Sequence, residues 1–352
     1  GQRPPEKPKT WQEQPLNDAV VDAAVKRAVE YLWSAQNKTE GHWENEPLAR
    51  YRESMKDKAQ ATAINSVSGV YGGGTALVLM ALLKSGEKPQ TEQFQKAVKF
   101  LQSVRPTQTY AMALRTALFA MLDASSDERR YNDELKQGRQ YLLDAMYGDG
   151  SYGYFPPAHP EVRMKPGSVH RDLSCTQYAA LGLWLLTDAG GEIPSKRWEL
   201  LQDCYLKNQC KDGGWNYMAH GPDEKAYQSM TLGGLATLYL IWDRLYADTC
   251  NRVPPAELRK SISDGLDWLG KNYSAGDNAG RPGWFRLYTL YGVERVGVAS
   301  GRKYFGDKDW WSLSGRYVLF TQRADGSWPA DYSSAREPVS TAWALLFLSY
   351  GR

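Results

Sequence analysis

Six times along this chain, a helix that is apolar on one side and charged on the other is followed, after a turn, by a helix that is apolar on nearly every side. Apolar residues recurring at three- and four-residue intervals predict both members of each pair as helical. Asp, Ser and Gly punctuation marks their ends. The first pair runs from Asp18 to Gln36, turns at Gly41-His42-Trp43 and returns from Tyr71 to Leu83. The second runs from Gln93 to Ser103 and back from Tyr110 to Leu122, and its turn has no Gly-x-Trp. In the third, Tyr141-Leu142 precedes Gly150-Ser151-Tyr152, and a long loop leads to Asp172 and a helix over Thr176 to Leu186. The fourth joins Cys204–Gln209 through Gly213-Gly214-Trp215 to Ser229–Leu245, and the fifth joins Trp268–Asn272 through Gly283-Trp284 to Leu287–Ala299. The sixth runs from Ser314 to Gln322, turns through Asp325-Gly326-Ser327-Trp328 and ends in Ser340 to Leu348.

A helix that is apolar on all faces must be buried, whereas a one-sided helix covers something. Six half-exposed helices paired with six buried ones are satisfied by two concentric rings. The predicted fold is therefore all-α, an α/α toroid of six hairpins occupying residues 18–352 as one domain, with residues 1–17 a flexible Pro-rich lead-in. An open superhelix leaves an exposed face on both helices of a pair, which these second helices do not have.

This topology places the binding face. Every outer-to-inner loop lies on one rim, and every inner helix points its electropositive N-terminus there. The rim collects all four histidines, His42, His159, His170 and His220. Tyr71, Tyr154, Arg171, Tyr217, Trp284 and Arg286, with Tyr291 on the fifth inner helix, are the expected ligand contacts.

Composition narrows the chemistry. A formal net charge of +3 over 352 residues, with Lys and Arg scattered among Asp and Glu, gives no nucleic-acid footprint. No run of about 18 apolar residues exists, so no membrane span is predicted. The 13 Trp and 22 Tyr against 8 Phe favour rings with a polar handle, which suit cavity walls and rims. The Pro-rich start reads as that of an exported chain, periplasmic or extracellular, whose leader was removed. Cys175, Cys204, Cys210 and Cys250 fall in hairpins three and four; they allow one or two disulfides in three connectivities, or buried thiols.

An aromatic-aliphatic pair, a Gln four residues on and then Gly-x-Trp resembles the QW motif of squalene and hopene cyclases and the repeat of protein prenyltransferases. Tyr31-Leu32 to Gln36 with Gly41-His42-Trp43 carries it, as do Tyr317-Val318 to Gln322 with Gly326-Ser327-Trp328 and Cys204-Tyr205 to Gln209 with Gly213-Gly214-Trp215. The whole chain is similar to a group of uncharacterised bacterial proteins, common in planctomycetes, with prenyltransferase and squalene oxidase repeats. The stretches Asp172 to Trp184 and Leu290 to Gly297 carry that likeness. It implies the toroid and brings no established reaction. Physically the motif reads as a clip, with Gln bonding free groups at helix ends, Trp covering the corner and Gly permitting the turn.

The resemblance also frames what is missing. The Asp-x-Asp-Asp acid of class II terpene cyclases does not occur. The Asp-x-Cys and distant His that hold zinc in protein prenyltransferases have a loose counterpart in Asp172, Cys175 and His220, but with two residues between Asp and Cys. No cofactor is predicted, and zinc is the one that this trio leaves open. Asp172, His170, His220 and Glu294 are the acid-base candidates, with Asp172 and Glu294 the best carboxylate pair for sugar cleavage. Against these stand structural roles: an N-cap for Asp172, core packing for Cys175, and an inter-helix ion pair for Glu294 with Arg286 or Tyr291 as partner. Arg295 projects about 100° away from Glu294 on a helix. The reading is a non-cyclising toroid that binds a glycan, peptide or isoprenoid-like lipid at the rim. Its alternative is an enzyme in the same pocket, zinc-dependent or carboxylate-based.

Overall fold

The computed structural model describes residues 8–56, 70–124, 130–158, 171–223, 225–247, 253–330 and 336–350. Thirteen α-helices lie among them: α1 (Asp18–Ala35), α2 (Leu48–Ser54), α3 (Gly73–Lys84), α4 (Glu92–Ser103), α5 (Thr109–Ala124), α6 (Asn132–Ala145), α7 (Leu173–Asp188), α8 (Ser195–Lys207), α9 (Gln228–Trp242), α10 (Ala256–Asn272), α11 (Arg286–Ser300), α12 (Trp310–Thr321) and α13 (Glu337–Tyr350). Apart from the short α2 in the first loop, outer and inner helices alternate.

The inner helices close on themselves. Each of α3, α5, α7, α9, α11 and α13 packs against the next, and α13 returns to α3. Outer helix α1 lies against α13, so the last hairpin meets the first. The architecture is the α/α toroid that the apolar patterning predicts. Helix α9 is buried without interruption from Gln228 to Leu238, whereas α4 buries one stripe through Phe94, Ala97, Val98 and Leu101. No helix among the described residues is long and apolar enough to cross a membrane.

A repeated corner ties the rings together. Gln36, Gln209 and Gln322 each donate Nε2 to two carbonyls, one in their own turn and one in the next outer helix. For Gln36 these are Gly41 (2.9 Å) and Gln93 (3.1 Å); for Gln209, Gly213 (2.7 Å) and Ser261 (2.9 Å); for Gln322, Gly326 (3.1 Å) and Ala24 (2.9 Å). The indoles of Trp43, Trp215 and Trp328 donate to the carbonyls of Leu32, Tyr205 and Val318 on their own outer helices, at 2.6, 2.9 and 2.9 Å. Their backbone amides donate to Thr75, Thr231 and Thr341, one threonine on each inner helix. Each corner thus satisfies helix-end groups that have no partner within the helix.

The third hairpin builds the same corner with Tyr152, whose hydroxyl donates to Leu142 O (2.8 Å) and whose amide donates to Thr176 Oγ1 (3.0 Å). In the second, the buried Arg115 reaches out from α5 and donates Nε to Leu101 O at 3.1 Å. Burial pulls its guanidinium down to about 10. The fifth hairpin, which lacks the Gln of the motif, builds no such corner. Trp284 is 52% exposed and makes no such bond, so Gly283-Trp284 is not a corner.

Two further expectations meet the structure. Residues 8–17, placed by composition in a flexible lead-in, instead pack on α12: Trp11 meets Tyr317 edge-on at 6.0 Å, and Arg316 donates to Gln14 O. Cys175, Cys204 and Cys210 are buried free thiols, with burial lifting Cys204 to about 12 and Cys210 to about 11. Cys250 lies outside the described residues.

Candidate functional site

At the rim, the loops of hairpins three and four are knitted by short strand pairing. Strand β1 (Tyr152–Gly153) pairs antiparallel with β2 (Arg171–Asp172), and β2 bridges in turn to Met218. Leu173 N donates to Tyr217 O (2.8 Å) and Ala219 N to Arg171 O (3.1 Å). This pairing brings Tyr154, Tyr217 and Asp172 together, with the two phenol oxygens 3.1 Å apart.

Asp172 is the N-cap of α7, its Oδ1 accepting Cys175 N at 2.6 Å. The cap was one of its two expected roles. Its other oxygen, Oδ2, is buried and has no hydrogen-bond partner, although the Tyr217 hydroxyl faces the carboxyl. Burial pushes this carboxyl up to about 7, the amide bond from Cys175 only partly offsetting it. Tyr217 is raised as well, by burial and then by the negative charge of Asp172.

Below the rim, the ring is filled. Tyr178 of α7 and Trp343 of α13, on opposite sides of the inner ring, meet with centroids 5.9 Å apart. Tyr110 of α5 packs on Tyr178 at 5.1 Å, and Tyr288 and Tyr291 of α11 lie 5.9 and 5.1 Å from Trp343. Hydrogen bonds lace this plug: Ser174 Oγ links to both the Tyr110 and Tyr288 hydroxyls, Gln177 Nε2 donates to Tyr288, and Arg295 Nη1 donates to Gln177 Oε1 at 3.3 Å. Contacts between offset and tilted rings are each worth about 1 kcal/mol beyond burial. Polar bonds add orientation, so the plug is a fixed floor.

Half-buried rings continue this floor across the mouth. Tyr154 lies 6.2 Å from Tyr110, Phe285 lies 6.2 Å from Tyr288, and Trp284 lies 5.9 Å from Phe285. Phe285 holds φ 55°, the left-handed region, and is the one non-glycine residue to do so among those described. That conformation costs roughly 1–2 kcal/mol. The loop that imposes it is firmly held: Asn278 bonds Ser229 through both its side-chain atoms, and Gln228 bonds Ser274 twice. The result is a run of aromatic rings from the plug to the rim, ending at the half-exposed Trp284.

The remaining candidates sort by position. Arg171, over the Tyr147 ring at 5.7 Å, pairs with Asp149, and Arg286 pairs with Asp277 (3.6 Å) rather than with Glu294. Tyr71 is buried in a stack with Tyr51 (4.8 Å), and Tyr291 is buried in the plug. His42 is buried too, its Nδ1 accepting Glu44 N at 3.0 Å while Nε2 meets Glu40 at 2.7 Å. His170 and His159 lie outside the described residues.

Glu294 sits about 12 Å along α11 from its first residue, and Lys84, at the far end of α3, and Arg295 are its charged neighbours. Burial raises it to about 8 against those two cations. It therefore belongs to the opposite end of the ring from Asp172, and no interaction joins the two carboxyls. Arg295, which helical projection turned away, is one of the cations that Glu294 feels. The zinc trio does not fit a metal: Asp172 Oδ1 is taken up by a backbone amide, the Cys175 thiol is raised by burial, and His220 is exposed. Among the described residues, no three His, Cys, Asp or Glu side chains converge.

Sequence reasoning missed Tyr110, Ser174, Gln177, Tyr288, Trp343 and Arg281. A signal existed. Tyr288, Tyr291 and Arg295 recur at helical spacing on an otherwise apolar helix, as do Ser174 and Gln177, marking the stripes that face the axis.

No family model matches the chain, and no curated protein matches it. Solved structures do. The type II terpene cyclase MstE from Scytonema superposes with a TM-score of 0.58 at 15% identity, covering 94% of this chain and 98% of that one. An inactive variant of the α-1,6-mannanase GH76A of Salegentibacter, in complex with α-1,6-mannotetrose, gives 0.60 at 8% over the same shares. Cellobiose 2-epimerase from Bacillus thermoamylovorans gives 0.60 at 12%, covering 94% and 99%. At these identities the likeness defines a class by its fold: this is an α/α-toroid protein. Which reaction or ligand it carries is not decided by that likeness, since the same ring serves a terpene cyclase, a mannanase and an epimerase.

Proposed function

We propose that this toroid binds a glycan on the run of aromatic rings at its outer-to-inner rim. The observation that carries the reading is the plug: Tyr178 and Trp343 touch across the inner ring. A long isoprenoid needs a deep apolar lumen, and the plug occupies the place where one would lie. A run of Tyr, Phe and Trp rings with phenol hydroxyls and arginines at hand suits saccharides, whose CH faces stack on rings while their hydroxyls take hydrogen bonds. Two of the similar folds, the mannanase and the epimerase, are named for sugars, and they support the reading by analogy of fold.

The test is a saccharide array followed by calorimetry on the wild type and on Trp284→Ala. Saccharide binding that Trp284→Ala weakens at least tenfold supports the reading. Capture of prenyl lipids with no saccharide bound overturns it.

A second reading, a sugar-transforming enzyme, is favoured by one feature: Asp172 is a carboxyl raised to about 7 with a free buried oxygen beside the Tyr217 hydroxyl. A group with that pKa can donate and recover a proton near neutrality. Turnover of a bound saccharide by the wild type and its loss in Asp172→Asn, with binding retained, supports this reading; binding without turnover by either protein removes it.

A further inference from the structure

Among the described residues, the rim of hairpins three to five carries three arginines, and they differ in one respect. Arg171 is paired with Asp149 and Arg286 with Asp277, whereas Arg281 has no carboxylate partner among the described residues. Its guanidinium lies instead between two rings, 5.5 Å from the centroid of Tyr227 and 5.5 Å from that of Trp284, with one weak bond to the Tyr227 hydroxyl at 3.5 Å. A guanidinium has five donors in a planar fork, and stacking on ring faces leaves the edges of that fork unused.

The nearest carboxylate of the loop is already engaged. Asp277 accepts from Gly283 N (2.7 Å) and Asn278 N (2.9 Å) in addition to facing Arg286. Arg281 is also held in place from its own backbone, its amide donating to Asn278 O at 2.8 Å. The loop thus presents, side by side, a cation with no carboxylate partner among the described residues and an exposed indole, on a support anchored to the start of α9.

We propose that the site is selective for acidic saccharides, with the sugar ring stacked on Trp284 and its carboxylate taken by the free edge of Arg281. This rests on the glycan reading and adds the charge of the ligand to it. A planar carboxylate matches the guanidinium fork in bidentate fashion, and the ring-stacked cation has already lost much of its side-chain freedom. A neutral sugar would gain the stacking and leave the fork to water.

The experiment compares uronic-acid oligosaccharides with their methyl esters, which keep the ring and remove the charge, by calorimetry at low and high salt. Binding of the acid at least tenfold tighter than the ester, weakening with salt, is expected. Arg281→Gln should abolish the difference between acid and ester, and its circular dichroism and melting curve check that the fold is kept. Equal binding of acid and ester overturns the charge selection and leaves the glycan reading standing. Binding of neither, with every other saccharide also rejected, overturns the glycan reading itself.

Discussion

Gln322 donates its side-chain amide to the carbonyl of Ala24, 298 residues earlier in the chain, at 2.9 Å, and accepts from Arg27 Nη2 at 2.5 Å. One side chain thus fastens the last outer helix to the first.

Removing that fastening should be costly because it takes away the buried donor to the turn carbonyl of Gly326 and breaks the tie to α1. Gln322→Leu is expected to destabilise the protein by about 2–3 kcal/mol, read from denaturant unfolding. Gln102, which ends the corresponding helix of hairpin two but bonds only Glu134 on the surface, should lose less than about 0.5 kcal/mol in the same change.

The turn glycines offer an internal control. A Cβ on Gly326 would lie 2.2 Å from Arg27 O, and one on Gly150 would lie 2.1 Å from Leu200 O, whereas Gly86, also at positive φ, meets nothing within 4 Å. Gly86→Ala should cost about 1 kcal/mol for the backbone conformation alone. Gly326→Ala and Gly150→Ala should cost clearly more, since the next outer helix must move.

Tyr152 tests whether the third corner works like those built on Trp. Tyr152→Phe keeps the ring and removes only the 2.8 Å bond to Leu142 O, and a loss of about 1–2 kcal/mol is expected by calorimetry. A neutral result would mean that the ring fills the corner without fastening it.

Phe285→Gly separates strain from packing. Truncating a half-buried Phe ordinarily costs about 2–3 kcal/mol, but here relief of the left-handed conformation should offset most of that. Stability within about 1 kcal/mol of wild type is expected, with weaker saccharide binding, because the run loses a ring.

Asp172 and Glu294 carry the pH dependence. Both bind a proton more tightly in the folded chain, Asp172 at about 7 against 3.8 and Glu294 at about 8 against 4.5. Their contribution is therefore fully present in acid and is lost as pH rises, through about 7 for the first and about 8 for the second. The melting temperature should fall between pH 5 and about 8. Asp172→Asn, which keeps a cap-forming side chain, should flatten the slope below about 7, and Glu294→Gln should flatten it from about 4.5 to about 8.

The fold was legible because burial on every face is a property of a helix's own sequence. The stretch from Gln228 to Leu238 has no charged position that could face water, so it had to be an inner helix. The corner Gln residues were legible for a similar reason, being local to one turn. Trp284 shows the limit. In sequence it follows a Gly much as Trp215 does, yet Trp215 is fully buried and Trp284 is half exposed. The difference is reach: Trp215 follows the end of its outer helix at Lys207 by 8 residues, whereas Trp284 follows Asn272 by 12, so its indole passes the carbonyl that it would have bonded.

The chain by itself determined two rings, the rim where their loops gather and the residues that fasten hairpin to hairpin, all of which depend on periodicity and on spacings within one turn. Tertiary structure alone decided whether the ring is hollow. That outcome rests on Tyr178 meeting Trp343 and on Ser174 meeting Tyr110 and Tyr288, side chains from facing helices whose separation is set by the packing of all the others. No pattern within a single helix encodes that distance.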